Sequence, residues 1–370
     1  MNKITVIGAG NGGMTAAYHL SRLGNKVCLY DSPSFDKQIR AVREKGGIEA
    51  LEGKNGDTYL FSGFEKIEKV TTDIEEAVSF ADTMVMICPS FAQEILFAQM
   101  IPYLKDGQIL IVMPGNFAGL VLHEMLEKSD RAGMRFTFAD AISIPWATRL
   151  SGPAQICIMG LKKFMPVSIF PVSDLSAETK KRIESALPIP VRYLESPLRA
   201  GMENINFGGH PLMTTVNIGL LENFEGNFNY YADCCSTATA RATARMDQER
   251  LAVGEAYGYK LWPELEIMNA LYDSHYKSVY EFNRSSVTHG KVKNAPASSG
   301  ERYITEDVPY LLVPICQLAQ NAGLHPVIME SVIHLASAYN EEDYFVTGRT
   351  LEKMGLAGMT VEEIREFLKK

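Results

Sequence analysis

Positive charge is in short supply in this chain. Its 36 Lys and Arg against 44 Asp and Glu leave a net charge of -8 over 370 residues. A protein that tracks nucleic-acid phosphates needs the opposite balance, and no basic run overrides it, so nucleic acid is not expected as a partner. Long apolar runs are also missing. None approaches the roughly 18 residues that cross a bilayer, so no membrane partner is expected. The N-terminus, Met1-Asn2-Lys3-Ile4-Thr5-Val6, enters a strand pattern at once without a small-residue cleavage site, which predicts no signal peptide. The six cysteines, at 28, 88, 157, 234, 235 and 316, form no Cys-x-x-Cys pair. Cys28, Cys88 and Cys157 sit inside apolar runs, the pattern of reduced, buried thiols in a cytoplasmic protein. A redox role for the adjacent Cys234-Cys235 is the second reading. The seven histidines show no ligand-like spacing with one another or with cysteine, so no metal site is expected.

What remains is an ordinary globular composition, 46% apolar and 22% charged, in a chain long enough for two domains. The first half alternates apolar strands with helical stretches. "KITVIG", "KVCLY", "TMVMIC" and "ILIVMP" are continuous apolar runs, as in a parallel sheet covered on both faces. "QICIMG" and "VSIFP" extend the strand count, and Thr72 with Glu75 reads as a capping box that opens a helix. After about residue 195 helical periodicity takes over, at 211–223, 236–257, 263–282, 309–322, 326–339 and 361–369. Thr360 with Glu363 is a second capping box. The stretch 283–300, rich in Ser, Asn, Gly and Pro, reads as a loop long enough to cover an active site. The expected fold class is therefore an α/β Rossmann-type parallel-sheet domain, residues 1–195, followed by an all-α helical domain, residues 196–370.

Within the first domain, Gly8-x-Gly10-x-x-Gly13 ends a predicted strand and opens a predicted helix. Asp31 follows about twenty residues on, at the end of the next strand. In that setting the glycines permit a tight turn, close backbone approach to a pyrophosphate and close helix–strand packing. The free N–H groups of the helix start would face the phosphates. Gly8, Gly10, Asn11, Gly12 and Gly13 are thus candidate cofactor residues. Asp31 would accept from the ribose hydroxyls and repel a 2′-phosphate, which favours NAD. Lys37, Arg40 and Arg43 follow closely and keep NADP open. The same crevice rule points to Cys88-Pro89-Ser90 and to Met113-Pro114-Gly115-Asn116 at later strand ends, although each taken singly is equally an ordinary turn.

A nicotinamide cofactor implies hydride transfer, which calls for a proton donor. His210 precedes Pro211 at an expected helix start, where the helix dipole disfavours the imidazolium. "ERYITEDVPY" holds Arg302, suited to grip a carboxylate, and Asp307, suited to orient a histidine. Thr305 is read there as a cap. Each of these also reads as a surface or capping residue on its own.

Several segments, in order, resemble the opine dehydrogenases, the family of octopine and nopaline dehydrogenases. They are "IGAGNGG", "MPGN", "IPWATRL", "GGHP", "MDQER", "RYITEDVPYLLVP" and "GRTLEKMGLAG". The resemblance spans nearly the whole chain and implies an active site in the cleft between a Rossmann-type and a helical domain. By motif it implies His210 as the catalytic histidine, Asp307 as its acidic partner and Arg302 as a keto-acid contact. Asn204 falls where a cofactor contact is expected, as does Pro89 at its strand end, and Asn116 and Ser143 where substrate contacts are expected. The family pattern carries a glutamate near the start of "IPWATRL", where this chain has Asp140 and Ser143, so the amino-acid contact is left unassigned. The implied activity is NAD(P)H-dependent condensation of an amino acid with a 2-keto acid through an imine, with small-molecule substrates, and a homodimer would be unsurprising. The rival readings are a ketopantoate-reductase-like 2-keto or hydroxy acid dehydrogenase and a non-catalytic NAD-sensing module.

Overall fold

The computed structural model describes residues 1–53, 59–286 and 295–370. The chain divides into two compact units, Met1–Pro197 with Lys370, and Leu198–Lys369.

The first unit is built on an eight-stranded sheet. Its strands come from β1 (Lys3–Ile7), β2 (Lys26–Tyr30), β5 (Lys69–Thr71), β6 (Thr83–Met86), β7 (Ile109–Val112), β8 (Thr137–Ala141), β11 (Met165–Phe170) and β12 (Val191–Leu194), in the order β12-β11-β8-β7-β6-β1-β2-β5. All neighbours are parallel except the β8–β11 pair. From β1 the chain runs outward to β2 and β5, then returns to β6 on the other side of β1. That reversal makes the carboxyl ends of β1 and β6 the switch point where such sheets bind ligands. Val85, Ile111 and Phe138 are fully buried, as strands covered on both faces require.

A second sheet was not foreseen. β3 (Gly47–Ala50), β4 (Gly63–Lys66), β9 (Trp146–Gly152) and β10 (Gln155–Leu161) form it in the order β4-β3-β10-β9. "QICIMG" therefore does not extend the main sheet. β9 packs on the first helix, Asn11–Arg22, through a bond between the Thr15 and Thr148 hydroxyls (2.7 Å) and one from Trp146 Nε1 to His19 Nδ1 (2.9 Å). Burial holds the His19 ring down to a pKa of about 4, so its Nδ1 stays an acceptor.

The second unit is helical among its described residues. Four expectations change in detail. The helix at Ile74–Phe80 is capped by Asp73, whose Oδ1 accepts from the N–H groups of Glu75 and Glu76, and not by Thr72, which lies one residue too early. The stretch 211–223 breaks at Asn217, whose amide donates to Met213 O and Cys234 O, leaving Pro211–Val216 and Ile218–Asn223. The stretch 263–282 breaks where Asp273 turns left-handed (φ 54°) after Glu264–Tyr272. The loop expected at 283–300 is helical at its start, within Val279–Ser285, and its residues 287–294 lie outside the described ones. The Thr360–Glu363 box forms with both of its bonds. Among the described residues no helix is long and apolar enough to cross a membrane, and no cluster of His, Cys, Asp or Glu could hold a metal ion.

Two motifs of the second unit brace it. The Glu249 carboxylate accepts from the N–H groups of Ile328 and Met329 at 2.9 and 3.1 Å, capping the helix Val327–Asn340, which has no cap of its own. A π-turn covers Val308–Leu312 and sends the Val313 N–H to Val308 O. In that pattern Pro309 O looks to residue 314, which is a proline without N–H. The Arg349 N–H takes that carbonyl at 2.8 Å. "GRTLEKMGLAG" thus completes the turn that follows Asp307.

Candidate active site

The candidate residues fall into two groups, one in each unit. In the first unit Gly8 leaves β1 with φ +102°, and a Cβ there would lie 2.3 Å from Ile87 O at the end of β6. Only glycine suits that turn. A Cβ at Gly13 would sit 1.7 Å from Gly8 O, so this residue sets how closely helix and strand pack. Gly10, the N-cap of the helix Asn11–Arg22, has nothing within 4 Å of its Cβ position. Packing therefore explains Gly8 and Gly13, whereas Gly10 borders open space. Asn11 Nδ2 donates to Thr148 O at 2.8 Å, while its Oδ1 is buried with no partner. An open glycine edge beside an orphaned buried acceptor at a helix start fits a dinucleotide. Gly12, by contrast, has its Cβ direction filled by Ile87, 2.7 Å away.

Asp31 Oδ2 accepts from Ala9 N–H (2.7 Å) and Oδ1 from Ser32 N–H (2.8 Å), which ties the end of β2 to the glycine turn. Burial raises the pKa of its carboxyl, against the pull of those two bonds. Of the nearby cations, Arg40 pairs with Asp36 at 3.2 Å and Arg43 donates to Val70 O, while Lys37 is exposed.

Pro89 occupies the N-cap position of the helix Ser90–Met100, and Asn116, left-handed at φ 49°, donates to Ser90 Oγ at 2.9 Å. These two strand-end loops are therefore joined. Asp140 lies in β8 with both carboxylate oxygens 3.0 Å from the Gly119 N–H, which gives it a structural task. Ser143 meets a residue that sequence reasoning missed. Lys162, only 6% exposed, donates to Ser143 Oγ (3.2 Å) and Ile144 O (2.7 Å), and burial lowers its pKa to about 8.

In the second unit His210 follows the short turn Asn206–Gly209 and is the N-cap of Pro211–Val216. Its Nδ1 lies 2.7 Å from Asp307 Oδ2, the two residues being 8% and 3% exposed. Asp307 is held in turn by Asn206 Nδ2 at 3.5 Å and stands at the start of the π-turn. Thr305 is not a cap; it ends the single turn Arg302–Thr305. Arg302 opens that turn and pairs with Glu306 at 2.5 Å, its side chain 60% exposed, so its guanidinium already shares a carboxylate. Asn204 lies in this second unit. Its Oδ1 accepts from Asn206 N–H at 2.9 Å and shapes the turn before His210.

Three aromatic residues around His210 escaped the sequence. Tyr303 stacks on the imidazole at 3.7 Å and 7°, Tyr230 meets it edge-on, and Tyr231 Oη lies 2.9 Å from Nε2. Beneath them Glu264 packs over Gly208, where a Cβ would come within 2.1 Å of Oε1. Glu264 is 5% exposed with both oxygens unpartnered, and burial followed by the nearby Asp247 charge raises its pKa to about 8. Asp247 itself is gripped by Arg250, with Nε at 2.9 Å and Nη2 at 2.6 Å.

Comparison with known proteins places both units. Residues 193–340 match the family model of the NAD/NADP octopine/nopaline dehydrogenase alpha-helical domain. Residues 3–128 match the NAD-dependent glycerol-3-phosphate dehydrogenase N-terminus. An opine dehydrogenase of Arthrobacter sp. (strain 1C) is 27% identical, over 97% of each chain. The helical-domain match and this full-length relative support the opine dehydrogenase family. A vitopine synthase of Allorhizobium ampelinum is also 27% identical, over 100% of this chain and 99% of its own. The fold matches that of octopine dehydrogenase solved with NADH and L-arginine, with a TM-score of 0.76 at 20% identity over 98% of both chains. On these matches the chain is an NAD(P)-dependent oxidoreductase acting on the CH–NH group of donors.

Proposed function

We propose that this enzyme joins the amino group of an amino acid to a 2-keto acid such as pyruvate, and reduces the resulting imine to a secondary amine. The observation that carries this reading is the buried His210–Asp307 pair, 2.7 Å apart, in the domain that matches the octopine/nopaline dehydrogenases. NAD is the cofactor of choice, because Asp31 directly follows β2, where a 2′-phosphate would meet its carboxylate. Gly10, Asn11 and Asp31 contact the dinucleotide and Gly8, Gly12 and Gly13 shape the turn that receives it; Pro89 and Asn204 are assigned to it as well. When bound, the nicotinamide supplies or accepts the hydride.

The protein's own part is proton handling and grip. Asp307 accepts from His210 Nδ1–H, fixes the tautomer and stabilises the imidazolium that forms when Nε2 takes a proton. In the oxidative direction that proton comes from the substrate; in the reductive direction it returns. Arg302 takes the keto-acid carboxylate in competition with Glu306, and Asn116 and Ser143 contact substrate. The six free cysteines, five of them buried, support a reducing, cytoplasmic setting.

His210→Gln tests the assignment. General acid–base catalysis is worth roughly 10²–10⁴ in rate, so turnover should fall by about that factor while NADH titrates the variant as it does the parent. Undiminished turnover would remove His210 from the chemistry.

A further inference from the structure

The second nitrogen of the His210 ring is engaged. Nε2 lies 2.9 Å from the hydroxyl of Tyr231, in the short helix Tyr230–Asp233 that Asn229 caps. The neighbouring Tyr230 has a different task. Its hydroxyl bonds Thr214 Oγ1 at 2.8 Å and lies 3.2 Å from the carbonyl oxygens of Gly209 and His210, so it braces the backbone. Tyr303 covers the face of the imidazole and also hydrogen-bonds Tyr231.

Direction follows from the other end of the ring. Asp307 accepts the proton on Nδ1, so the neutral ring carries its lone pair on Nε2, and Tyr231 is the donor there. Burial holds the Tyr231 phenol well above its ordinary pKa of 10, which keeps the donor protonated. A general acid whose transferring nitrogen is already bonded to a hydroxyl must either lose that contact or work through it. Tyr231 is 8% exposed and rests on the Tyr230 ring at 5.0 Å and 84°, which favours working through it.

We infer that Tyr231 relays the proton between His210 Nε2 and the substrate nitrogen. In the reductive direction the imidazolium gives its Nε2–H to Tyr231 Oη as Tyr231 gives its own O–H proton to the imine nitrogen. One proton enters the phenol and one leaves. The ring ends neutral, and the nitrogen is protonated as its carbon accepts the hydride. In the oxidative direction both transfers reverse. The inference rests on His210 as the proton carrier.

Tyr231→Phe removes one oxygen and leaves the ring packing in place. Turnover should fall on the order of 10- to 100-fold, short of the roughly 10²–10⁴ of general acid–base catalysis as a whole, because water can bridge the gap in part. NADH affinity should not move. The pH profile of kcat/KM should shift to higher pH, since a donor that favours the neutral ring is gone. Placing 3,5-difluorotyrosine at 231, a stronger donor that preserves the packing, should shift the profile to lower pH. The proton inventory in mixed H2O and D2O should bow in the parent, with two protons in flight, and a straight inventory there would overturn the relay. Parent-like turnover in Tyr231→Phe, or a profile that neither variant moves, would overturn the relay. Faster turnover would overturn it too, and make the phenol a cap that must leave. If His210→Gln turns over normally, the His210 assignment itself falls; if it is inactive while Tyr231→Phe is unimpaired, only the relay falls.

Discussion

Glu264 offers a stability prediction whose size can be worked out. Its carboxyl is buried against Gly208 without a partner, and its pKa rises from 4.5 to about 8. A raised carboxyl pKa favours the folded state fully below 4.5, and that advantage drains away as pH climbs from 4.5 to 8. At pH 7 the gap between solution pH and 4.5 corresponds to about 3 kcal/mol, at ~1.4 kcal/mol per unit. Its place in the first turn of Glu264–Tyr272 favours the carboxylate by about 0.3–1 kcal/mol, which lowers the expected penalty to about 2 kcal/mol. Glu264→Gln cannot ionise and buries a group of similar polarity. It should therefore match the parent near pH 5, gain about 2 kcal/mol at pH 7, and hold a constant lead above pH 8. Urea unfolding of parent and variant between pH 5 and 9, followed by circular dichroism, reads this directly. A pH-independent difference, or a variant less stable throughout, would mean that the carboxylate is ionised and satisfied in the fold.

Two further outcomes separate packing from binding. Gly13→Ala should destabilise the first unit markedly, since its Cβ would fall 1.7 Å from Gly8 O, whereas Gly10→Ala should leave the melting temperature alone and weaken NADH binding; equal effects in both assays would undo the distinction. Lys162, with its pKa lowered to about 8 from 10.5, binds more protons unfolded than folded between those values, so stability should rise with pH across that window by at most about 3 kcal/mol. Lys162→Met should lack the rise, and a parallel pH response in urea melts would contradict it.

Legibility in the sequence followed the range of the interactions. Gly8, Gly13 and Asp31 act within about two dozen residues, and strand, turn and helix signals place them together. His210 and Asp307 stand 97 residues apart; no local pattern joins them, and only their chemistry and motif resemblance suggested the pair before the structure brought them together. Tyr231 and Tyr303 fall outside the helical stretches read from the sequence, and nothing local says which face a ring will cover. Nothing local marks Glu264 or Lys162 as buried, their burial being set by distant segments. "QICIMG" announced a strand correctly but could not say which sheet would receive it. The helix start at Ile74 was placed by a Thr-x-x-Glu pattern when the neighbouring Asp73 had the better geometry.

The most direct test of the account is NADH oxidation with pyruvate, with and without a panel of amino acids. Consumption that requires both the keto acid and an amine is the predicted result, and the panel then names the amine. Consumption with the keto acid alone would contradict imine reduction and make the enzyme a simple 2-keto acid reductase.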